Sequence, residues 1–163
     1  MTLQAALTWL ESNPLSLTIA ESSWLFPALE AAHVIGLTLV VGLIAIVDLR
    51  LLGVASLSWR ASDLNRTILP LTWSAFGVAA LTGVLMFTSK PGSYLANPFF
   101  TGKLALLLIA GLNVTLFHRV FARDVEALDG GAVASSAVKI SAATSLALWI
   151  SIVALGRWIG FTI

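Results

Sequence analysis

The chain has 163 residues, 58% of them hydrophobic and 10% charged, with a formal net charge of +1. Its mean hydropathy is +0.96, too apolar for a water-soluble domain that must cover its surface with polar groups. The near-neutral charge, with no basic cluster interleaved with aromatics, excludes nucleic acid as a partner, and the absence of cysteine excludes disulfides, iron–sulfur ligation and thiolate ligation of haem.

The first segment, residues 1–13, places Leu3, Ala6, Leu7 and Leu10 on one helical face with Trp9 beside it. That pattern predicts a short helix lying in the membrane interface, ended by Asn13-Pro14. No Lys or Arg precedes Arg50, so the start lacks the positive region of a cleavable signal, and the first span is expected to be retained. Thr18 to Glu21 has capping-box spacing, and Pro27 fits near a helix start, so the first spanning helix is expected over about 24–52 with Gly53 as its C-cap.

A polar stretch from Ser58 to Asn65 leads into a second spanning helix over 66–89, with Pro70 in its first turn, stopped by Lys90-Pro91-Gly92. Asn97-Pro98 is a start signal for a third helix over 98–122. Asp129-Gly130-Gly131 through Ser136 reads as a loop before a fourth helix over 137–160. Each charge-free run can supply the roughly 20 residues a span requires, and none shows the alternation of barrel strands. The expected fold is an all-α integral membrane four-helix bundle, up-down-up-down, with a short N-terminal interfacial helix and a single domain over 1–163.

Basic residues orient it. Lys90, Lys103 and Arg157 lie on the side of the termini, and Arg50, Arg60, Arg66, Arg119, Arg123 and Lys139 lie on the other. The larger group marks the cytoplasmic side, so both termini are expected in the periplasm of a bacterial inner membrane.

Trp24, Trp59 and Trp158 fall near helix ends, where indoles anchor in the headgroup region. Trp73 and Trp149 lie deeper and read as packing residues, or as the lining of a cofactor cavity. The glycines Gly36, Gly42, Gly77, Gly83, Gly111 and Gly156 permit close approach, of neighbouring helices by default or of a flat macrocycle.

The two histidines, His33 and His118, both fall inside the apolar segments, where an ionisable group must pair, line a cavity or bind a ligand. Glu30 stands three residues before His33, on the same helical face, where it could orient the imidazole. A dedicated zinc or copper site lacks enough ligands. Haem b is the cofactor that such a bundle suits, with His33 and His118 as axial ligands of the iron. Lys103 and Arg157 at the outer end, and Arg50 and Arg119 at the inner end, are candidate partners of the propionates.

Counting helical rise from the centres of the charge-free runs places the two histidines roughly 20 Å apart in depth at about 1.5 Å per residue. One iron cannot be clamped by both. The expectation is two half-sites in opposite leaflets, each five-coordinate or completed by Met86, by Tyr94 or by the mate of the same histidine across a two-fold homo-oligomer interface.

Glu30-Ala-Ala-His33-Val-Ile-Gly36, continuing to Asp48-Leu-Arg50, resembles the first helix of an uncharacterised family of small bacterial four-helix inner-membrane proteins. Asn97-Pro98-Phe99-Phe100 through Lys103, then Gly111-Leu-Asn113 and Phe117-His118-Arg119, resemble its third helix, and the likeness runs from about residue 24 to the C-terminus. The family's layout is similar to that of small transmembrane b-type cytochromes, which usually supply two histidines per haem from one chain.

The expected function is therefore haem binding in transmembrane electron transfer, as an electron carrier rather than a catalyst, with a quinone or periplasmic redox partner. Haem sensing or storage is an alternative. Two others are a cofactor-free helper or transport subunit with Glu30, His33, Asp48, Lys103, Asn113 and His118 as a polar interior or proton path, and an interaction protein that docks a larger complex. No nucleophile–base pair or phosphate loop points to hydrolysis or group transfer.

Overall fold

A computed structural model describes residues 2–129 and 133–162; the side chains of Ala61, Asn65, Ala122, Arg123 and Glu126 are not described. Gly130 and Gly131, expected in a loop, and the Arg123 side chain, expected on the basic face, lie outside the described residues. Within them the chain is helical: α1 Leu3–Glu11, α2 Pro14–Glu21, α3 Leu25–Leu52, α4 Ala61–Ser89, α5 Pro91–Ala96, α6 Pro98–Val120, α7 Ala122–Asp129 and α8 Ser136–Thr162. The helices α3, α4, α6 and α8 are long and apolar enough to cross a membrane.

Their outward faces suit hydrocarbon rather than water. On α6, Leu108, Leu112 and Leu116 follow one another at four-residue spacing and are 73%, 64% and 59% exposed. A continuous leucine stripe of this kind is at home against acyl chains.

Backbones pack closely for α3 with α4, α3 with α8, and α6 with α8. Gly36 lets α3 approach α4: a Cβ there would lie 3.2 Å from the Ala75 carbonyl oxygen and from the Ala79 nitrogen. Among the described residues α4 and α6 have no comparable contact, which leaves the bundle more open on that side. The centre is an apolar layer of Val40, Ala75, Ala110, Trp149 and Ile152. A second cluster, Leu51, Val125, Leu128, Val138 and Ala142, seats α7 under one end.

Several boundaries depart from expectation. Asn13 ends α1 as foreseen, but its side chain accepts from the Leu15 N–H and starts another helix at once, with Pro14 in its first turn. Thr18 and Glu21 therefore belong to α2 rather than capping the first span. The first span begins instead at Leu25, whose N–H is accepted by the Ser22 hydroxyl. The polar stretch before the second span is mostly helical, since α4 starts at Ala61; this puts Pro70 inside the helix instead of in its first turn. Residues 91–96 form a short helix after the stop signal at Lys90-Pro91-Gly92, and Ala122–Asp129 form another between the expected end of the third helix at 122 and the loop expected from Asp129. Gly53, left-handed at φ 76°, and Asn97, accepting from the N–H groups of Phe99 and Phe100, cap α3 and α6 as the sequence predicts.

Candidate functional site

His33 points from the first half of α3 towards the last third of α4. Its Nδ1 lies 2.7 Å from the Ala79 carbonyl oxygen and 3.2 Å from the Thr82 hydroxyl. A carbonyl only accepts, so Nδ1 carries the proton and donates. The Thr82 hydroxyl donates in turn to the carbonyls of Val78 and Ala79. The Nε2 side of the ring faces Lys103 Nζ of α6 at 3.3 Å, placed to accept a proton from it.

Two glycines make room for this pair. A Cβ at Gly83 would stand 3.0 Å from His33 Cε1, so the imidazole lies against the bare backbone of α4. A Cβ at Gly156 would stand 3.4 Å from Lys103 Nζ, so the ammonium reaches inward over α8 in the same way. Above the pair, Phe87, Tyr94 and Phe100 form an aromatic cluster, with Phe87 and Phe100 stacked at 5.6 Å and Tyr94 tilted 5.2 Å from Phe100. Tyr94 lies outside the long helices; burial pushes its phenol above the ordinary value, and the charge of Glu30 adds to the effect.

The sequence-predicted residues divide accordingly. Lys103 is brought to His33, but as a direct partner of the imidazole. Glu30, expected to orient His33, is exposed and acts on Tyr94 instead, because both polar sides of the ring are engaged by α4 and α6. Arg157 lies over the Phe161 ring at 4.6 Å. Arg50 donates to the Trp59 carbonyl and ties down the loop after α3. Arg119 is exposed near the end of α6. His118 is exposed too, and its Nδ1 bonds the Val114 carbonyl one turn earlier at 2.8 Å.

An iron on His33 would require Nε2, and Lys103 Nζ stands beside that atom. The residues around His33 as arranged therefore do not fit haem ligated through Nε2. His33 and His118 also belong to different regions: one is anchored at residues 79–83 and 103, the other lines a cavity with Asp48, Ser141 and Ser145. The two imidazoles therefore have separate sets of partners.

The cavity, about 160 Å³, lies among α3, α4, α6 and α8 on the side of the apolar layer away from His33. Trp73, Phe76, Phe117 and Trp149 line it, with Asp48, Thr72, Asn113 and His118 among its polar groups. Trp149 is buried as expected of a packing residue, whereas Trp73 is 57% exposed. Thr82 and Ser145 carry no signal in the sequence, and Gly83 and Gly156 read there as room for a neighbouring backbone or a flat macrocycle. A histidine or lysine deep in a span with a glycine in another helix is the signal that could have linked them.

A family model matches residues 23–162, which takes in all four long helices, the His33–Lys103 pair and the cavity. The chain belongs to the family of unknown function DUF6644. The likeness noted from about residue 24 onward thus corresponds to a real family; within DUF6644 both polar sites fall in the shared region, and α1 precedes it. No curated protein and no solved structure matches the chain.

Proposed function

We propose that this DUF6644 protein is a proton-handling membrane transport or coupling subunit, working through titratable side chains inside its bundle. One observation carries the reading: His33 is held by Ala79 on one side and faces Lys103 on the other at 3.3 Å. Two ionisable groups from diagonal helices, at membrane depth and joined through one hydrogen bond, can exchange a proton and serve as a relay. A proton arriving from the outer end would pass the Tyr94 and Glu30 region to reach Lys103. The apolar layer around Val40 and Ile152 separates that pair from the inner cavity, which suits a carrier with slow turnover better than an open proton wire.

The setting that belongs to this reading is an up-down-up-down bundle in a bacterial inner membrane with both termini periplasmic. Six basic residues on one side against three on the other support it.

A second reading keeps haem b, on His118. It is favoured by the Val114 carbonyl holding Nδ1, which leaves Nε2 as a lone pair in the manner of metal-ligating histidines. Arg119 beside it would meet a propionate, a second copy of the chain could supply the other axial ligand, and a quinone or periplasmic protein would be the redox partner.

Purified protein in vesicles tests both. Under an imposed membrane potential, proton uptake above that of empty vesicles, reduced at least tenfold by Lys103→Met and by His33→Gln, is the result expected of the proton reading. Uptake equal to empty vesicles overturns it. A Soret band in the same preparation, lost in His118→Ala, would establish the haem reading instead.

A further inference from the structure

Asp48 is the polar group that neither the outer pair nor the loops account for. It is 6% exposed, sits in the last third of α3, and one carboxyl oxygen, Oδ2, has no hydrogen-bond partner. A buried carboxyl oxygen without a donor is costly, and such groups persist where something else supplies the donor. The Ser145 hydroxyl faces the carboxyl group. No Lys, Arg or His among the described residues forms an ion pair with it.

The other buried or half-buried polar groups on the cavity wall are already engaged, while His118 is exposed. The Thr72 hydroxyl donates to the Ile68 carbonyl. The Asn113 amide donates to the Ser141 carbonyl and accepts from the Ser141 hydroxyl. His118 is bonded to Val114. Among the described residues Asp48 Oδ2 is thus the one buried side-chain acceptor without a donor, in a space walled mainly by Trp73, Phe76, Phe117, Trp149 and aliphatic side chains.

We infer that this cavity binds a ring-sized hydrophobic ammonium ion, whose N–H donors and positive charge meet Asp48 while its apolar body lies among the aromatic side chains. Charge selects a cation, and aromatic faces favour one over a neutral group. Volume limits the body: about 160 Å³ is close to the roughly 150 Å³ that accommodates a benzene-sized molecule. Entry is from the bilayer, on the side where α4 and α6 are not closely packed and where an amphipathic cation concentrates. This inference is independent of the proton reading of His33 and Lys103.

Benzylammonium is the probe, with toluene as the uncharged control of the same ring size, and the protein in nanodiscs. Trp73 and Trp149 line the cavity, so their fluorescence reports occupancy. The inference predicts saturable binding of benzylammonium at least tenfold tighter than that of toluene. Asp48→Asn should weaken benzylammonium at least tenfold and leave toluene unchanged. Gly111 lines the cavity, and a Cβ there would meet nothing within 4 Å. Gly111→Leu adds a side chain at the cavity wall without a clash and should weaken both probes at least tenfold with Asp48 intact, which keeps the test decisive if Asp48→Asn does not fold. Equal affinity for the two probes, full benzylammonium affinity in either variant, or displacement by sodium at matching concentration would overturn the inference.

Discussion

Replacing Gly83 by alanine separates the stability of α4 from the geometry of the pair it supports. The new Cβ would stand 3.0 Å from His33 Cε1 and 3.3 Å from Nδ1, against an ordinary carbon contact of about 3.5 Å or more. The imidazole must therefore retreat by about 0.5 Å. That stretches the Nδ1 to Ala79 bond from 2.7 Å to about 3.2 Å, at the outer edge of hydrogen-bond geometry. Weakening one such bond costs up to about 1 kcal/mol, while alanine in place of a mid-helix glycine returns about 1 kcal/mol. The two nearly cancel. Thermal unfolding in detergent should shift by no more than a few degrees, while the Nδ1 proton resonance of His33 moves upfield as its hydrogen bond lengthens. An unchanged His33 resonance in Gly83→Ala would refute the claim that this glycine seats the imidazole.

Gly36→Ala should behave differently, because its Cβ would meet α4 backbone at 3.2 Å; helices must separate, and a loss of about 1–3 kcal/mol is expected in denaturant unfolding. Asn97→Ala removes the cap of α6 and the 2.7 Å bond from Asn97 Nδ2 to the Thr162 hydroxyl, for a loss of about 1–2 kcal/mol in the same assay. Tyr94 is the only tyrosine, so ultraviolet difference absorbance follows it alone; its ionisation should occur above the usual value near 10, and Glu30→Gln should bring it down. Because the folded value is raised, the stability that Tyr94 contributes is fully present below the unfolded value and is lost as pH rises from there through the folded one.

The four spans were legible because their information is one-dimensional. A run without charges, a glycine such as Gly53 past the last turn, and Asn97-Pro98 ahead of the first each act through the residue's own backbone and solvent preference. The short helices α2, α5 and α7 were not, since burial secures them: Ile19 is 1% exposed, and Val125 and Leu128 are seated against Leu51 and Val138. Pro70 misled the start of α4 because a proline inside a long apolar helix removes a single N–H, the one that would meet the Arg66 carbonyl, and such helices tolerate that loss.

The site was half legible. An imidazole in a span announces itself, and His33 is indeed held on both sides. Its partners did not announce themselves, because a backbone carbonyl such as that of Ala79 leaves no trace in residue type. Lys103, 70 positions away in sequence, carries no spacing relation to His33, whereas Glu30 has the helical spacing and the wrong orientation. Asp48 could be named as polar interior, but its unmet oxygen is a property of the packed cavity.

The proton held between His33 and Lys103 is the centre of the proposed relay. Long-range proton–nitrogen correlation of the imidazole, recorded on the protein in nanodiscs with and without Lys103→Met, tests it most directly. The predicted result is an Nδ1-protonated ring whose Nε2 resonance shows an accepted hydrogen bond in the parent and loses it in the variant. An Nε2-protonated ring in the parent, or an Nε2 resonance indifferent to Lys103, would contradict the account.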